Sequence, residues 1–223
     1  TPRSKIRMHG LENVHAALAQ GRGVLLLGGH FSILDLGGAL VSLFLDVDVT
    51  QRDHNNPLFN AVMTRSRESR FGVALGRKDM RGLLRQLKRN HVVWYAPDQD
   101  FGRKNSVFAP FFGVPAATTT AISRIARASG AAVVTIGLYR CEDGSGYEVF
   151  IDPALTEYPT GDDVADATRT NAVLETQIRR HPDQYLWMHR RFKSRPEGEP
   201  DLYTYRKKRK RRKKKPSGSS HGH

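Results

Sequence analysis

The sequence predicts a single α/β domain in which a central, mostly parallel or mixed sheet is flanked by helices. Three observations predict it. Short apolar runs alternate with amphipathic stretches, the pattern of strands covered by helices. One of those stretches carries an apolar stripe of helical period. The length of 223 residues suffices for one such domain with a sizeable core and falls short of two of ordinary size.

In chain order, the apolar runs at 24–27, 47–50, 92–96, 133–138 and 147–151 read as strands. Helices are expected over 33–45, 57–69, 80–87, 117–129 and 163–180. The one at 80–87 has the clearest pattern: Met80, Leu83, Leu84 and Leu87 recur at i, i+3, i+4 and i+7, while Lys78, Arg81, Arg85 and Lys88 occupy the opposite face. Glu142-Asp143-Gly144-Ser145-Gly146 reads as a hairpin turn between the last two strands. Residues 97–115 hold Pro97, Pro110 and Pro115, two glycines and mixed charge, and read as a long functional loop rather than a regular element.

Charge is unevenly spread. Residues 206–215 are ten consecutive lysines and arginines; without them the 36 basic side chains fall to 26 against 22 acidic ones, and the net charge from +14 to +4. The expectation is therefore a mildly basic folded part, residues 1–205, followed by a disordered polybasic tail, 206–223, suited to anionic lipid, nucleic acid or acidic protein. No run of about 18 apolar residues is present to span a bilayer, and the first residues lack the pattern of a secretory signal. The single cysteine, Cys141, excludes an internal disulfide and suits a reducing compartment.

The chemistry centres on His30. The run at 24–27 passes through Gly28 and Gly29 into His30, and Asp35 lies five residues on. Five positions are about 140° apart on a regular helix, so the two do not share a helical face. With His30 in the strand-to-helix junction and Asp35 one turn inside the helix, the carboxylate can reach one ring nitrogen and leave the other facing a cleft at the carboxyl edge of the sheet. A histidine so held is a general base. The competing reading is a structural histidine. Likewise the arginines between 65 and 89 are either ligands or the solvated faces of two helices, and Asp98 and Asp100 either serve the site or cap a loop. The glycines before His30 lack the lysine and hydroxyl residue of a phosphate-binding loop.

Gly29-His30-Phe31-Ser32-Ile33-Leu34-Asp35 resembles the HX4D motif of the lysophospholipid acyltransferase superfamily. Within it the late lipid A acyltransferases match best. The match runs through Asn56-Pro57-Leu58 after Arg52, then Leu75-Gly76-Arg77-Lys78-Asp79, and Trp94-Tyr95-Ala96-Pro97-Asp98-Gln99-Asp100-Phe101-Gly102. It continues in Ser106-Val107-Phe108-Ala109-Pro110-Phe111-Phe112-Gly113, in Ala117-Thr118-Thr119-Thr120 and in Met188-His189-Arg190-Arg191-Phe192-Lys193.

The resemblance implies a glycerol-3-phosphate acyltransferase-like fold and transfer of a fatty acyl group from an acyl carrier protein thioester to a hydroxyl of a lipid A precursor, with no cofactor or metal and no covalent acyl-enzyme. His30 and Asp35 would be catalytic. Arg52, Arg67, Arg77 and Asp98 would bind substrate: Arg67 and Arg77 through phosphate or oxyanion contacts, Asp98 by holding that arginine or the loop. His189 to Phe192 would bind lipid phosphate or carrier protein, or form a surface helix end. The implied place is the cytoplasmic face of the bacterial inner membrane.

The chain departs from the family pattern at Gly29, where the superfamily often has asparagine, and at Thr135, where many relatives have proline. Family members usually begin with a transmembrane helix and about a hundred residues ahead of the motif, which this sequence does not contain: either it is a truncated product or it docks by other means, and in the second case the basic tail would matter, each residue of it worth roughly 1 kcal/mol near an anionic surface. Two rival functions stay open. One is an acyltransferase acting on a phosphatidylinositol mannoside or lysophospholipid. The other is tail-driven nucleic-acid binding, which the folded part does not support because it has no aromatic-basic binding motif.

Overall fold

A computed structural model describes residues 2–51, 55–76 and 79–203. Arg52, Arg77 and the basic tail lie outside the described residues. In chain order the elements are β1 (Ile6–His9), α1 (Leu11–Ala19), β2 (Val24–Gly28), α2 (Leu34–Val41), β3 (Asp48–Gln51), α3 (Pro57–Glu68), β4 (Ala74–Gly76), α4 (Met80–Lys88) and β5 (Val92–Tyr95). There follow β6 (Ser106–Phe111), β7 (Val114–Thr119), α5 (Ala121–Ser129), β8 (Ala132–Arg140), β9 (Tyr147–Ile151) and α6 (Asp163–Arg180).

Seven strands form one sheet in the order β1-β9-β8-β2-β5-β3-β4, and every adjacent pair is parallel except the β8–β9 hairpin. Both faces of this sheet are covered, as parallel sheets require. Val24 and Leu26 enter an apolar cluster with Val14, Leu40, Val92 and Val134, whereas Leu25 and Leu27 enter a second with Leu83, Leu87, Val93 and Ile122. One strand thus feeds two cores by simple alternation. Leu83 and Leu87 are the buried half of the stripe foreseen on α4, whose first turn is capped by Asp79 accepting from the Gly82 N–H at 2.8 Å. A third cluster, Phe31, Phe111, Tyr139, Leu174, Ile178 and Tyr185, joins α6 and the β6–β7 hairpin to the end of the sheet where β2 exits.

Three expectations are corrected. The loop expected over 97–115 contains a regular element: β6 pairs antiparallel with β7, and Pro110 stands opposite Pro115. Prolines fit there because β6 and β7 form a separate two-stranded sheet whose outer edges need no donor. The helix expected from 117 begins only at Ala121, because residues up to Thr119 are strand. The helix expected over 33–45 stops at Val41. Thr135 keeps its hydroxyl satisfied by donating to Asp152 Oδ2 at 2.9 Å. Among the described residues no helix is long and apolar enough to cross a membrane.

Candidate active site

Strand register brings the central pair together. β2 and β5 are adjacent and parallel with Leu27 opposite Tyr95. Three residues beyond Leu27 comes His30, and three beyond Tyr95 comes Asp98, so both leave the carboxyl edge of the sheet side by side. Gly28 permits the exit: a Cβ there would lie 2.3 Å from the indole nitrogen of Trp94.

Asp98 receives three donors, an imidazole, a backbone N–H and a phenol, in a buried setting. Its Oδ1 lies 2.7 Å from His30 Nδ1. Its Oδ2 accepts from the His30 backbone N–H at 2.8 Å and from the Tyr185 hydroxyl at 2.9 Å. Burial works against the charge, but the hydrogen bond and charge of His30, its backbone N–H and the Tyr185 hydroxyl outweigh it and hold the carboxyl below its ordinary range. The Tyr185 phenol is pushed up by burial and by the Asp98 charge, which keeps it a donor. A short bridge holds Tyr185 in place: Phe31 pairs with Tyr185, Ser32 N–H donates to Gln184 O, and Leu186 N–H donates to His30 O.

An ionised Asp98 fixes the tautomer. With the proton on Nδ1, His30 Nε2 is an acceptor, and the Gln99 carboxamide nitrogen lies 3.3 Å from it. The same nitrogen lies 3.4 Å from His189 Nδ1, and the two imidazoles are 4.7 Å apart. Burial, then the neighbouring His30, lower the pKa of His189 and favour its neutral form, against the pull of Asp98. The His30 side chain is 19% exposed and lines a cleft of about 250 Å³ with Thr50, Gln51, Trp94 and Gln99. Beside it, sharing Thr50 and Trp94, is a second cavity lined by Leu34, Val41, Val49, Phe71 and Leu138, with Asp35 and Arg67 at its polar part.

The expected partner of His30 is therefore replaced. His30 stands where the sequence placed it, but its Nδ1 faces Asp98, and Asp35 does not hold the ring. Asp35 is 77% exposed and lies 3.7 Å from Arg67. Asp35 is the second residue of α2, and its carboxylate turns to Arg67 instead of to the imidazole. Arg67 also donates to Gln51 Oε1 at 3.0 Å, so Asp98 does not hold this arginine. Asp100 caps the loop, accepting from Gly102 N–H and from the Ser194 hydroxyl. The basic cluster after Met188 divides. His189 joins the site, whereas Arg191 is buried, donates to Ala117 O and Thr118 Oγ1, and clamps β7. Sequence reasoning gave no part to Gln99 or Tyr185. The equal offsets from two apolar runs are the signal for Asp98, and nothing local marks Tyr185.

Comparison with known proteins identifies the family. The sequence model described as bacterial lipid A biosynthesis acyltransferase matches residues 2–194. The lipid A biosynthesis palmitoleoyltransferase of Escherichia coli (strain K12) is 45% identical over 207 residues, 91% of this chain and 67% of that protein. The lauroyltransferase of the same strain is 42% identical, covering 87% of this chain and 64% of its own length, and a lipid A biosynthesis acyltransferase of Haemophilus influenzae is 39% identical over 82% and 60%. The chain thus spans about two thirds of the length of these relatives. The match over residues 2–194 and these identities show that the chain belongs to the bacterial lipid A biosynthesis acyltransferase family.

Proposed function

We propose that the chain transfers a fatty acyl group from an acyl carrier protein thioester to a hydroxyl of a lipid A precursor, with His30 as general base and Asp98 as the carboxylate that orients it. The observation that carries this reading is the 2.7 Å contact of His30 Nδ1 with a buried, ionised Asp98, which leaves Nε2 in the cleft as an acceptor. The acceptor hydroxyl takes the place of the Gln99 amide at Nε2 and gives up its proton there. Its oxygen bonds to the thioester carbonyl carbon, and the carbon–sulfur bond breaks as the tetrahedral intermediate collapses. The departing thiolate recovers the proton from the imidazolium, which Asp98 has stabilised meanwhile.

A thioester is already activated, so positioning and a base carry most of the work. The apolar cavity beside the cleft suits the acyl chain. Arg67, held by Asp35 and Gln51, serves as the phosphate or oxyanion contact at its mouth, and this gives Asp35 a positioning part. Arg52 and Arg77, outside the described residues, are further candidate substrate contacts in this reading. The reaction would take place on the cytoplasmic face of the inner membrane. Incubation of the protein with acyl carrier protein thioester, or with a coenzyme A thioester, and a lipid A precursor or a lysophospholipid tests the assignment. Transfer from the carrier protein to the lipid A precursor supports it. Transfer only to the glycerolipid overturns it.

A further inference from the structure

We propose that α3 is the element by which the protein docks on an anionic lipid surface; the choice of a lipid partner rests on the acyl-transfer reading above. The helix is built inside out. It begins soundly, with Asn56 accepting from Phe59 N–H at 3.1 Å and Pro57 in its first turn, yet none of its residues is buried. At 100° per residue, Leu58, Val62 and Phe59 fall within about a 100° arc, with Arg65 on its margin. Leu58 is 75%, Val62 57% and Phe59 50% exposed.

The polar residues turn the other way. The Thr64 hydroxyl accepts from Gln51 Nε2 at 3.1 Å, and Arg67 donates to Gln51 and pairs with Asp35. A surface helix of a water-soluble domain places its apolar stripe inward; this one places it outward. The flanks are cationic: Arg65 and Arg70 are exposed, and neither has an ion-pair partner among the described residues. An apolar face with arginine at its border suits the headgroup and acyl boundary of an anionic bilayer. A second copy is a poorer occupant, because three side chains fall far short of the roughly 800 Å² per partner of a stable interface. Position agrees as well. The inner face of α3 supplies Arg67 to the cavity that adjoins the His30 cleft, so seating its outer face on lipid brings that cleft to the membrane.

The test uses Val62→Cys carrying an environment-sensitive fluorophore, with Lys88→Cys, exposed at the amino edge of the sheet, as the control; the native Cys141 is buried. On phosphatidylglycerol–phosphatidylethanolamine vesicles the label at 62 should brighten and shift to the blue, and the label at 88 should not. Leu58→Ser with Phe59→Ser should weaken vesicle binding at least about tenfold, given the apolar area withdrawn, while circular dichroism stays unchanged. A silent label at 62 on a protein that sediments with vesicles overturns the proposal, since the basic tail alone would then hold the membrane. So does a response without vesicles that grows with protein concentration. The readout needs no turnover, so a chain that seats α3 yet transfers no acyl group contradicts the proposed reaction and leaves the docking face standing.

Discussion

Among the described residues two buried aspartates pair with histidines, and one of these pairs has the setting of a catalyst. His91 Nδ1 lies 3.1 Å from Asp48 Oδ2, and Asp48, buried like Asp98, also accepts from Val73 N–H at 2.7 Å. By pairing alone the two couples are near equivalent. Their places are not. Asp48 opens β3 and His91 precedes β5, so this pair sits at the amino edge of the sheet, with the ring half exposed and the carboxylate tying β3 to the chain entering β4. His30 and Asp98 leave the carboxyl edge, where loops diverge and a cleft opens, and the second ring nitrogen meets Gln99 inside it. The contrast teaches that a histidine–aspartate contact is a stitch unless its free nitrogen faces a space a substrate can enter.

The largest expected effect is on His30. His30→Ala should lower acyl transfer by about 10²–10⁴-fold, the usual contribution of a positioned general base. His91→Ala should leave turnover per folded molecule unchanged. Equal losses in the two variants, measured with the carrier-protein thioester, would erase the distinction between the pairs.

Asp98→Asn comes next, with a loss of about 10²-fold or more in turnover through the wrong tautomer. It should also cost roughly 2 kcal/mol of stability as charged hydrogen bonds are removed. The sign with pH follows from the depressed pKa of Asp98 in the fold. Its contribution is fully present above the unfolded carboxylate value, about 3.9, and is lost as pH falls through the lower folded value. Urea denaturation across that window should show the gap between wild type and Asp98→Asn wide at neutral pH and closing in acid. Asp48→Asn should destabilise without the loss of turnover.

A smaller effect is expected of the pair at the neighbouring cavity. Asp35→Ala and Arg67→Ala should each lower turnover roughly 10–10²-fold, because each lets the other drift. The double variant should be little worse than either single one. Additive losses in a double-mutant cycle would show that the two act separately.

How far the sequence foretold this follows from the range of each signal. Residues 24–27 and 92–95 were legible as strands because buried parallel strands are apolar throughout, and α4 and α6 because their periodicity is local. β1, at four residues, and β4, at three, are too short to show a period. The β6–β7 hairpin was hidden by its prolines and by a turn in which Phe112 and Gly113 both take positive φ, 49° and 75°, a conformation that favours glycine at both places. His30 was legible from a strand end. Its partner was misassigned because HX4D is a local pattern, whereas Asp98 arrives from 68 positions away across a β2–β5 pairing that leapfrogs β3 and β4. Tyr185 depends on an isolated bridge to Phe31 that no hydropathy pattern announces.

The most direct test of the central claim is the nitrogen-15 spectrum of histidine-labelled protein, which reports the protonation of each ring nitrogen. The account predicts that neutral His30 carries its proton on Nδ1, with Nε2 bare, and that Asp98→Asn shifts this balance whereas Asp35→Asn does not. A proton on Nε2 of neutral His30 in the wild type, or a shift on changing Asp35 instead of Asp98, would contradict it.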